Sequence, residues 1–172
     1  MLTICTNIEL ARPSDAAEIS GLSRRSIERG LRPRYTPQLV RELMRNKSKN
    51  VVVARKRGEM LGFGIMTYGR DSANLDLLAV KKPYRHRGVG RQIMQWLEKV
   101  ALTAGIGNVF VQVRKNNAAA IRFYEKLGFQ IVDQVTGYYQ KRETAVILCK
   151  GIRPIAVSLR RAGLRTGGEA ES

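Results

Sequence analysis

The chain has 172 residues, 44% of them hydrophobic, which is the size and composition of a single globular domain. Its 31 Lys and Arg against 14 Asp and Glu give a formal net charge of +17, which indicates an anionic partner: nucleic acid, a ribosome, a phosphorylated cofactor or an acidic substrate. One histidine and two cysteines exclude a multi-histidine metal site, and no apolar stretch approaches the roughly 20 residues of a membrane span.

The first half of the chain predicts two helices followed by a hairpin. Ser14 is the predicted N-cap of a short helix that ends near Arg25. A second, basic helix follows, because apolar residues recur there at helical spacing: Leu39, Val40, Leu43 and Met44. Two strand signals, over 50–55 and 60–68, flank a turn that contains Gly58, which predicts a β-hairpin.

The second half alternates strands and helices. Buried strands are predicted over 75–80 and 109–113, with an amphipathic helix over 90–104 between them. Asn117 is the predicted N-cap of a further helix, which stops at Gly128. Two closing strands are predicted over 129–135 and 144–150.

The order of these elements predicts an α/β (α+β) domain over residues 1–150, with a mixed, mostly antiparallel central sheet flanked by helices. Residues 151–172 are basic before a Gly-Gly-Glu-Ala-Glu-Ser end and are predicted to form a loosely ordered tail. Cys5 and Cys149 stand among apolar neighbours, which predicts two buried thiols. We expect a cytoplasmic monomer or homodimer with no metal and no membrane partner.

A basic, glycine-containing loop lies between the strand that ends at residue 80 and the helix that follows it. Its sequence runs Arg85-His86-Arg87-Gly88-Val89-Gly90-Arg91. Glycines let the backbone approach a ligand closely, and the unpaired amides of a first helical turn favour a negative charge, as do the basic side chains. The loop therefore predicts a pyrophosphate site. Its spacing is neither that of a P-loop nor that of a Rossmann fingerprint, which disfavours nucleotide hydrolysis and hydride transfer.

The loop resembles the Arg/Gln-x-x-Gly-x-Gly/Ala signature of the GNAT N-acetyltransferases. Two further segments resemble the same superfamily: Leu-Leu-Ala-Val-x-x-x-Tyr-Arg over 77–85 and Asn-Ala-Ala-Ala-Ile-x-x-Tyr-x-x-Leu-Gly-Phe over 117–129. The similarity covers about residues 8–150. The sequences at 111–114, 137–139 and 143–145 are most similar to protein N-terminal acetyltransferases of the ribosomal-protein-alanine type.

This resemblance implies acetyl-CoA as the acyl donor, bound in a cleft between splayed strands of the sheet. Backbone groups of three strand residues would pair with the pantetheine arm, amides of 86–91 would hold the pyrophosphate, and Asn117 would contact the cofactor while it caps its helix. The implied cofactor-binding residues are Leu78, Ala79, Val80, Arg85, His86, Arg87, Gly88, Val89, Gly90, Arg91 and Asn117.

The resemblance also implies the catalytic residues. Tyr124 matches the tyrosine that meets the departing sulfur, and a phenol with a reference pKa of about 10 can protonate a thiolate whose thiol titrates near ~8.5. The family's base position is held by Gln112, which cannot accept a proton. Two alternatives remain: a water chain reaches another group, such as Asp76 or Glu143, or the acceptor amine arrives neutral. The second favours an α-amino group over a lysine, because its reference pKa is lower.

On the acceptor side, Tyr138 and Tyr139 resemble the aromatic pair that clamps an acceptor peptide. The segment 31–35, which includes Tyr35, walls the acceptor site in this fold and is basic here, which indicates an acidic acceptor. We expect N-acetylation of a protein N-terminus. The alternatives are acetylation of a small amine, and a catalytically weak acetyl-CoA-binding module that associates with a ribosome or nucleic acid.

Overall fold

The structure, a computed structural model, describes residues 2–139 and 143–153. The strands are β1 (Asn7–Leu10), β2 (Lys49–Lys56), β3 (Glu59–Tyr68), β4 (Ser72–Val80), β5 (Asn108–Arg114), β6 (Gln130–Tyr139) and β7 (Glu143–Gly151). The α-helices are α1 (Ala16–Ser26), α2 (Pro37–Arg45), α3 (Val89–Thr103) and α4 (Ala118–Lys126). Two short 3₁₀ turns lie at Pro13–Asp15 and Lys82–Tyr84.

The strands form a single sheet in the order β1-β2-β3-β4-β5-β7-β6. Strands β4 and β5 pair in parallel, and each other neighbouring pair of described strands is antiparallel. A mixed, mostly antiparallel sheet with helices confirms the predicted α/β (α+β) fold class.

Each face of the sheet is covered by helices over its own apolar core. The α3 face is built around fully buried side chains that include Leu75, Ile93, Leu97 and Leu148, and Tyr124 of α4 joins the same core. The α1 and α2 face is built around Ile19, Val40, Phe63 and Ile65. Alternate residues of a strand point to opposite faces, so neighbouring residues of β4 and β5 contribute to different sides of the sheet.

The predicted hairpin is present, and its turn has φ of +50° at Arg57 and +83° at Gly58. The predicted cap at Ser14 is wrong, because Ser14 lies inside the 3₁₀ turn that precedes α1. The side chain of Asp15 accepts a hydrogen bond from the backbone amide of Arg12 (2.7 Å) and so fixes the start of this turn. Strand β1 was not predicted, since its four residues are too few to display a periodicity.

Neither cysteine is fully buried, in contrast to the prediction. Cys5 is exposed, because residues 3–6 run along the surface and not inside the core. Cys149 is half-buried in β7, and burial raises the pKa of its thiol. Within the described residues, no helix is long and apolar enough to cross a bilayer.

The C-terminal end of β7 continues one residue past the predicted domain boundary. The amide of Ile152 donates to the carbonyl of Gly107 (2.9 Å), and the guanidinium of Arg153 donates to the carbonyl of Gly105. The rest of the predicted tail, 154–172, lies outside the described residues, so its loose order stays a prediction.

Candidate functional site

The candidate site is a cleft between β4 and β5. The two strands pair in parallel, and the last pair of residues in their register is Leu75 and Val111. The β4 backbone bulges at the same point, because Asp76 is skipped in the register with β3. The two strands therefore diverge beyond Leu75.

Leu78, Ala79 and Val80 form the β4 edge of this cleft. Strand β3 supports them from the other side so closely that a Cβ on Gly62 would lie 2.7 Å from the carbonyl oxygen of Ala79. The Nε of Arg85 donates to the carbonyl of Val80 (3.0 Å), which holds the following loop against the end of the strand. The segment is therefore rigid on its β3 side and borders the cleft on the other.

The basic loop turns sharply between the end of β4 and the start of α3. His86 and Gly88 have φ of +59° and +79°, and Gly88 is the N-cap of α3 without a side-chain cap. Val89 is buried, so only its backbone can face a ligand, whereas the side chains of Arg85, Arg87 and Arg91 are exposed, as is that of His86. An uncapped first turn flanked by cations is suited to an anion such as pyrophosphate.

Gly90, in the first turn of α3, makes close packing between helices possible. A Cβ there would lie 3.1 Å from the ring of Phe123 on α4. The glycine therefore lets α4, which carries the candidate acid Tyr124, approach the loop.

The N-terminal segment buttresses the loop from outside, a feature that sequence reasoning missed. The amide of Ile4 donates to the carbonyl of Arg87 (2.9 Å). The side chain of Gln92 donates to the carbonyl of Ile4 (2.7 Å) and accepts from the amide of Thr6 (3.0 Å). These contacts join positions more than 80 residues apart, so no local pattern could have indicated them.

Tyr124 is held on α4 by aromatic packing. Its ring stands edge-on to Phe123 and Phe129, with centroid distances of 5.0 Å and 5.6 Å, and only 6% of the residue is exposed. The side chain of Asn117 accepts from the amide of Ala120 (3.1 Å), which confirms the predicted cap of α4. The orientation of the tyrosine is therefore set by the core.

Gln112 lies on β5, one residue past the last pair in register with β4. Its Nε2 donates to Oδ1 of Asn74 (2.8 Å), and Nδ2 of Asn74 donates to Oδ1 of Asp76 (2.9 Å). The other oxygen of Asp76 accepts from Thr67 (2.5 Å) and from the ammonium of Lys49 (3.0 Å). The side chain of Gln112 is therefore linked to the carboxylate of Asp76 through one asparagine.

The predicted acceptor residues Tyr35 and Tyr138 share one region. Burial raises the pKa of Tyr35, and the charge of Asp76 adds to this; Arg34 opposes the rise, while Glu28 and Tyr138 contribute to it less strongly. Tyr138 is 47% exposed. Tyr139 pairs through its backbone with Glu143, and its side chain lies outside the described part.

Glu28 is a structural residue of this region that the sequence reasoning did not select. Its side chain is buried and accepts from the hydroxyl of Ser23 (3.0 Å), the amide of Tyr35 (3.2 Å) and the amide of Arg34. The only available signal was that Glu28 is one of two acids in the basic stretch 24–57. The segment between α1 and α2 folds around this carboxylate and leaves its arginines outside.

Arg114 of β5 holds the same segment from the other side. Its guanidinium donates to the carbonyls of Ile27 (2.9 Å) and Arg29 (2.8 Å) and pairs with Glu143 of β7 (3.5 Å). The second oxygen of Glu143 is buried without a hydrogen-bond partner among the described residues. Glu143 therefore orients Arg114, and through it the segment between α1 and α2.

A family model for the acetyltransferase (GNAT) family matches residues 18–129, which include β4, the basic loop and Tyr124. The chain belongs to the GNAT acetyltransferase family. The family predicted from the sequence is thus confirmed, and so is the fold.

Known GNAT proteins resemble the chain in sequence and structure. The ribosomal protein bS18-alanine N-acetyltransferase of Escherichia coli is 34% identical over 96 residues, which are 54% of this chain and 65% of that protein. The match thus spans slightly less than two thirds of the relative. A crystal structure of Ard1 from Thermoplasma volcanium superposes with a TM-score of 0.78 at 27% identity, covering 88% of this chain and all of that one. The Escherichia coli ribosomal-protein-alanine N-acetyltransferase structure gives 0.75 at 25% identity, covering 90% and 99%.

The described residues of this GNAT chain fit acetyl-CoA. The open edge of β4 can pair with the amides of a pantetheine arm, as an added strand would. The uncapped start of α3 and its surrounding arginines suit the diphosphate, and the Nε of Arg85 ties this loop to the carbonyl of Val80 at the end of the β4 edge. Bound acetyl-CoA supplies an acyl thioester, which is activated toward attack by an amine.

Proposed function

We propose that this chain transfers the acetyl group of acetyl-CoA to an amine, and that the amine is the α-amino group of a protein N-terminus. The observation that carries the proposal is the separation of β4 from β5 at Leu75 and Val111, next to Gln112. The similarity to protein N-terminal acetyltransferases supports the class of acceptor.

On the donor side, the backbone of Leu78 to Val80 pairs with the pantetheine arm, and the amides from His86 to Arg91 bind the pyrophosphate. Asn117 contacts the same ligand beside α4. The β4 edge beyond its last pair with β5 and the left-handed turn at Gly88 support these roles.

On the reaction side, attack of the amine nitrogen on the thioester carbonyl forms a C–N bond and an oxyanion. A backbone amide of the segment 78–80 donates a hydrogen bond to this oxyanion. When the C–S bond breaks, Tyr124 donates its hydroxyl proton to the thiolate and regains a proton from water. Tyr124 belongs to the α3-side core and Gln112 projects to the opposite face, which supports amine entry and sulfur departure on different sides.

On the acceptor side, Tyr35 and Tyr138 contact the first residues of the peptide, with Tyr139 beside them. The outer surface of the neighbouring segment carries exposed Arg29 and Arg34, while its acid, Glu28, is buried and hydrogen-bonded. We therefore propose that acidic residues follow the acetylated N-terminus. A polyamine acceptor is disfavoured because the net charge of +17 repels it.

The test is acetylation of an N-terminal peptide library with acetyl-CoA, read by mass spectrometry. We expect acetyl addition at the α-amine of a subset of peptides. Salt-dependent RNA binding together with no acetylated peptide would instead favour the alternative of a weak acetyl-CoA-binding module that associates with a ribosome or nucleic acid.

A further inference from the structure

A directional hydrogen-bond chain ends at the point where the cleft opens. Asp76 occupies the bulge of β4 and Gln112 follows the last registered residue of β5, so both stand where the two strands part. Asn74 connects them with bonds of 2.9 Å and 2.8 Å. Gln112 and Asn74 also line an open groove of about 510 Å³, so a ligand can reach the Gln112 end of the hydrogen-bond chain.

The donor-to-acceptor direction of this hydrogen-bond chain follows from the chemistry of Asp76. Its carboxylate pairs with the ammonium of Lys49 and, when ionised, can only accept hydrogen bonds. Asn74 must therefore turn its NH₂ group toward Asp76, which leaves its carbonyl oxygen to face β5. Gln112 must in turn offer its own NH₂ group to that oxygen. The side-chain carbonyl of Gln112 is thereby turned away from Asn74.

We propose that Asp76 and Asn74 fix Gln112 so that its carbonyl oxygen accepts a hydrogen bond from the incoming amine. Gln112 thus orients an amine that is already neutral, whereas a base at this position would remove a proton from it. The inference rests on the proposed function and adds the means of selecting the acceptor. Asp76 and Asn74 are positioning residues, since they act through Gln112.

The proton balance follows directly. One N–H of the neutral amine donates to Gln112, and the nitrogen lone pair forms the C–N bond. The nitrogen then carries a positive charge and releases its proton to water, while the departing sulfur receives a proton from Tyr124. The side chain of Gln112 gains no proton at any stage, because its amide is not basic in this pH range.

Charged and titratable groups lie on several elements around Asp76, Asn74 and Gln112. They are Lys49 of β2, Asp76 of β4, Arg114 of β5, Asp133 and Tyr138 of β6, Glu143 of β7 and Tyr35 before α2. The carboxylates among them are already engaged: Asp76 with Lys49, Asp133 with the amide of Gln134, and Glu143 with Arg114.

An enzyme that requires a neutral amine selects its acceptor by pKa. The reference pKa is about 7.8 for an α-amino group and about 10.4 for lysine, so below both values the neutral fraction differs by roughly 400-fold. The proposal therefore predicts that an α-amine is acetylated over a lysine in the same peptide by a factor of this order. It also predicts that the pH at which kcat/KM levels off follows the acceptor, not the enzyme.

The deciding experiment is the pH profile of kcat/KM for the full chain with acetyl-CoA and two peptides that differ only in their first residue. One begins with alanine and the other with β-alanine, whose amine is more basic. The expected inflection lies near the amine pKa of each peptide and moves upward for the second. An inflection at one pH for both peptides would overturn the inference and leave the proposed function standing. Absence of transfer to every peptide would overturn both.

Variants test the direction of the hydrogen bonds from Gln112 to Asp76. Asp76→Asn removes the obligatory acceptor, so Gln112 is no longer held in one orientation, and kcat/KM should fall about 5-fold, as for one net hydrogen bond, with the acetyl-CoA Kd unchanged. Gln112→Glu introduces a base, so the inflection should move well below the amine pKa. A Gln112→Glu profile identical to wild type would contradict the orienting role.

The double variant Asp76→Asn/Gln112→Glu keeps both hydrogen bonds of Asn74, with donors and acceptors exchanged. The new carboxylate at position 112 accepts from the NH₂ group of Asn74, and the new amide at position 76 donates to the carbonyl oxygen of Asn74. The thermal stability of the double variant should therefore exceed that expected from the sum of the two single changes. Additive stabilities would mean that the three side chains do not act as one unit.

Discussion

The side chain of Gln92, on the first turns of α3, donates a 2.7 Å hydrogen bond to the backbone carbonyl of Ile4, so the N-terminal segment is tied to the helix that begins at the basic loop. Ile4 in turn donates to the carbonyl of Arg87 inside that loop. The shape of the loop thus depends on a segment outside the family's motif.

Gln92→Ala should weaken acetyl-CoA binding about 5-fold, because it removes the bonds that hold residues 4–6 against the loop. Gln95→Ala is the matched control, since Gln95 is exposed on the same helix. Calorimetric titration with acetyl-CoA measures both. Equal affinities for the two variants would show that the N-terminal segment does not shape the loop.

Gly88→Ala should strongly weaken acetyl-CoA binding. Its φ of +79° is unfavourable for alanine, and the added Cβ would lie 2.8 Å from the side chain of Thr3. Gly105→Ala has the same φ of +79° and no atom within 4 Å of its Cβ, so it should lose about 1 kcal/mol of stability and keep its affinity. Thermal unfolding and calorimetry separate the two effects; similar losses of affinity would contradict a ligand role for Gly88.

Glu28→Gln should raise the KM for an acceptor peptide and leave the acetyl-CoA Kd unchanged. The carboxylate accepts from two amides and a hydroxyl, and an amide offers one acceptor oxygen in place of two. Glu42→Gln carries the same change of charge at an exposed position of α2 and serves as the control. Steady-state kinetics in both substrates would detect the difference, and a raised acetyl-CoA Kd in Glu28→Gln would refute the division between acceptor and donor sides.

Exposed arginines near Tyr35 should make the enzyme prefer acidic peptides. With matched peptides that differ only in the charge of residues 2–5, we expect a preference of about 10-fold at low salt that shrinks on raising the salt concentration, since exposed charges are screened. Arg29→Gln/Arg34→Gln should remove most of it. A preference unaffected by salt and by the double variant would contradict the electrostatic explanation.

The elements that could be predicted from the sequence are those specified by residues close together in the chain. The hairpin turn at Gly58, the cap at Asn117 and the stop at Gly128, with φ of +91°, all follow from local chemistry. The loop before α3 could be recognised for the same reason. Family resemblance then extended these signals to a cofactor and to Tyr124.

The features that could not be predicted join distant parts of the chain. The Ile4 to Gln92 contact, the folding of the α1–α2 segment around Glu28, and the path from Gln112 to Asp76 each depend on tertiary neighbours. Ser14 shows the converse: its preference for capping was overridden by the 3₁₀ turn that Asp15 stabilises.

Acetyl transfer to a peptide N-terminus, with Tyr124 as the proton donor, is the reaction proposed for this site. Its most direct test is single-turnover transfer from acetyl-CoA to an N-terminal peptide, followed by mass spectrometry for the wild type and Tyr124→Phe. Phenylalanine keeps the ring packing against Phe123 and Phe129, so stability and acetyl-CoA affinity should be preserved. We predict α-amine acetylation by the wild type and a rate about 100-fold lower for Tyr124→Phe. An unchanged rate in Tyr124→Phe, or no acetylation of any peptide by the wild type, would contradict the account.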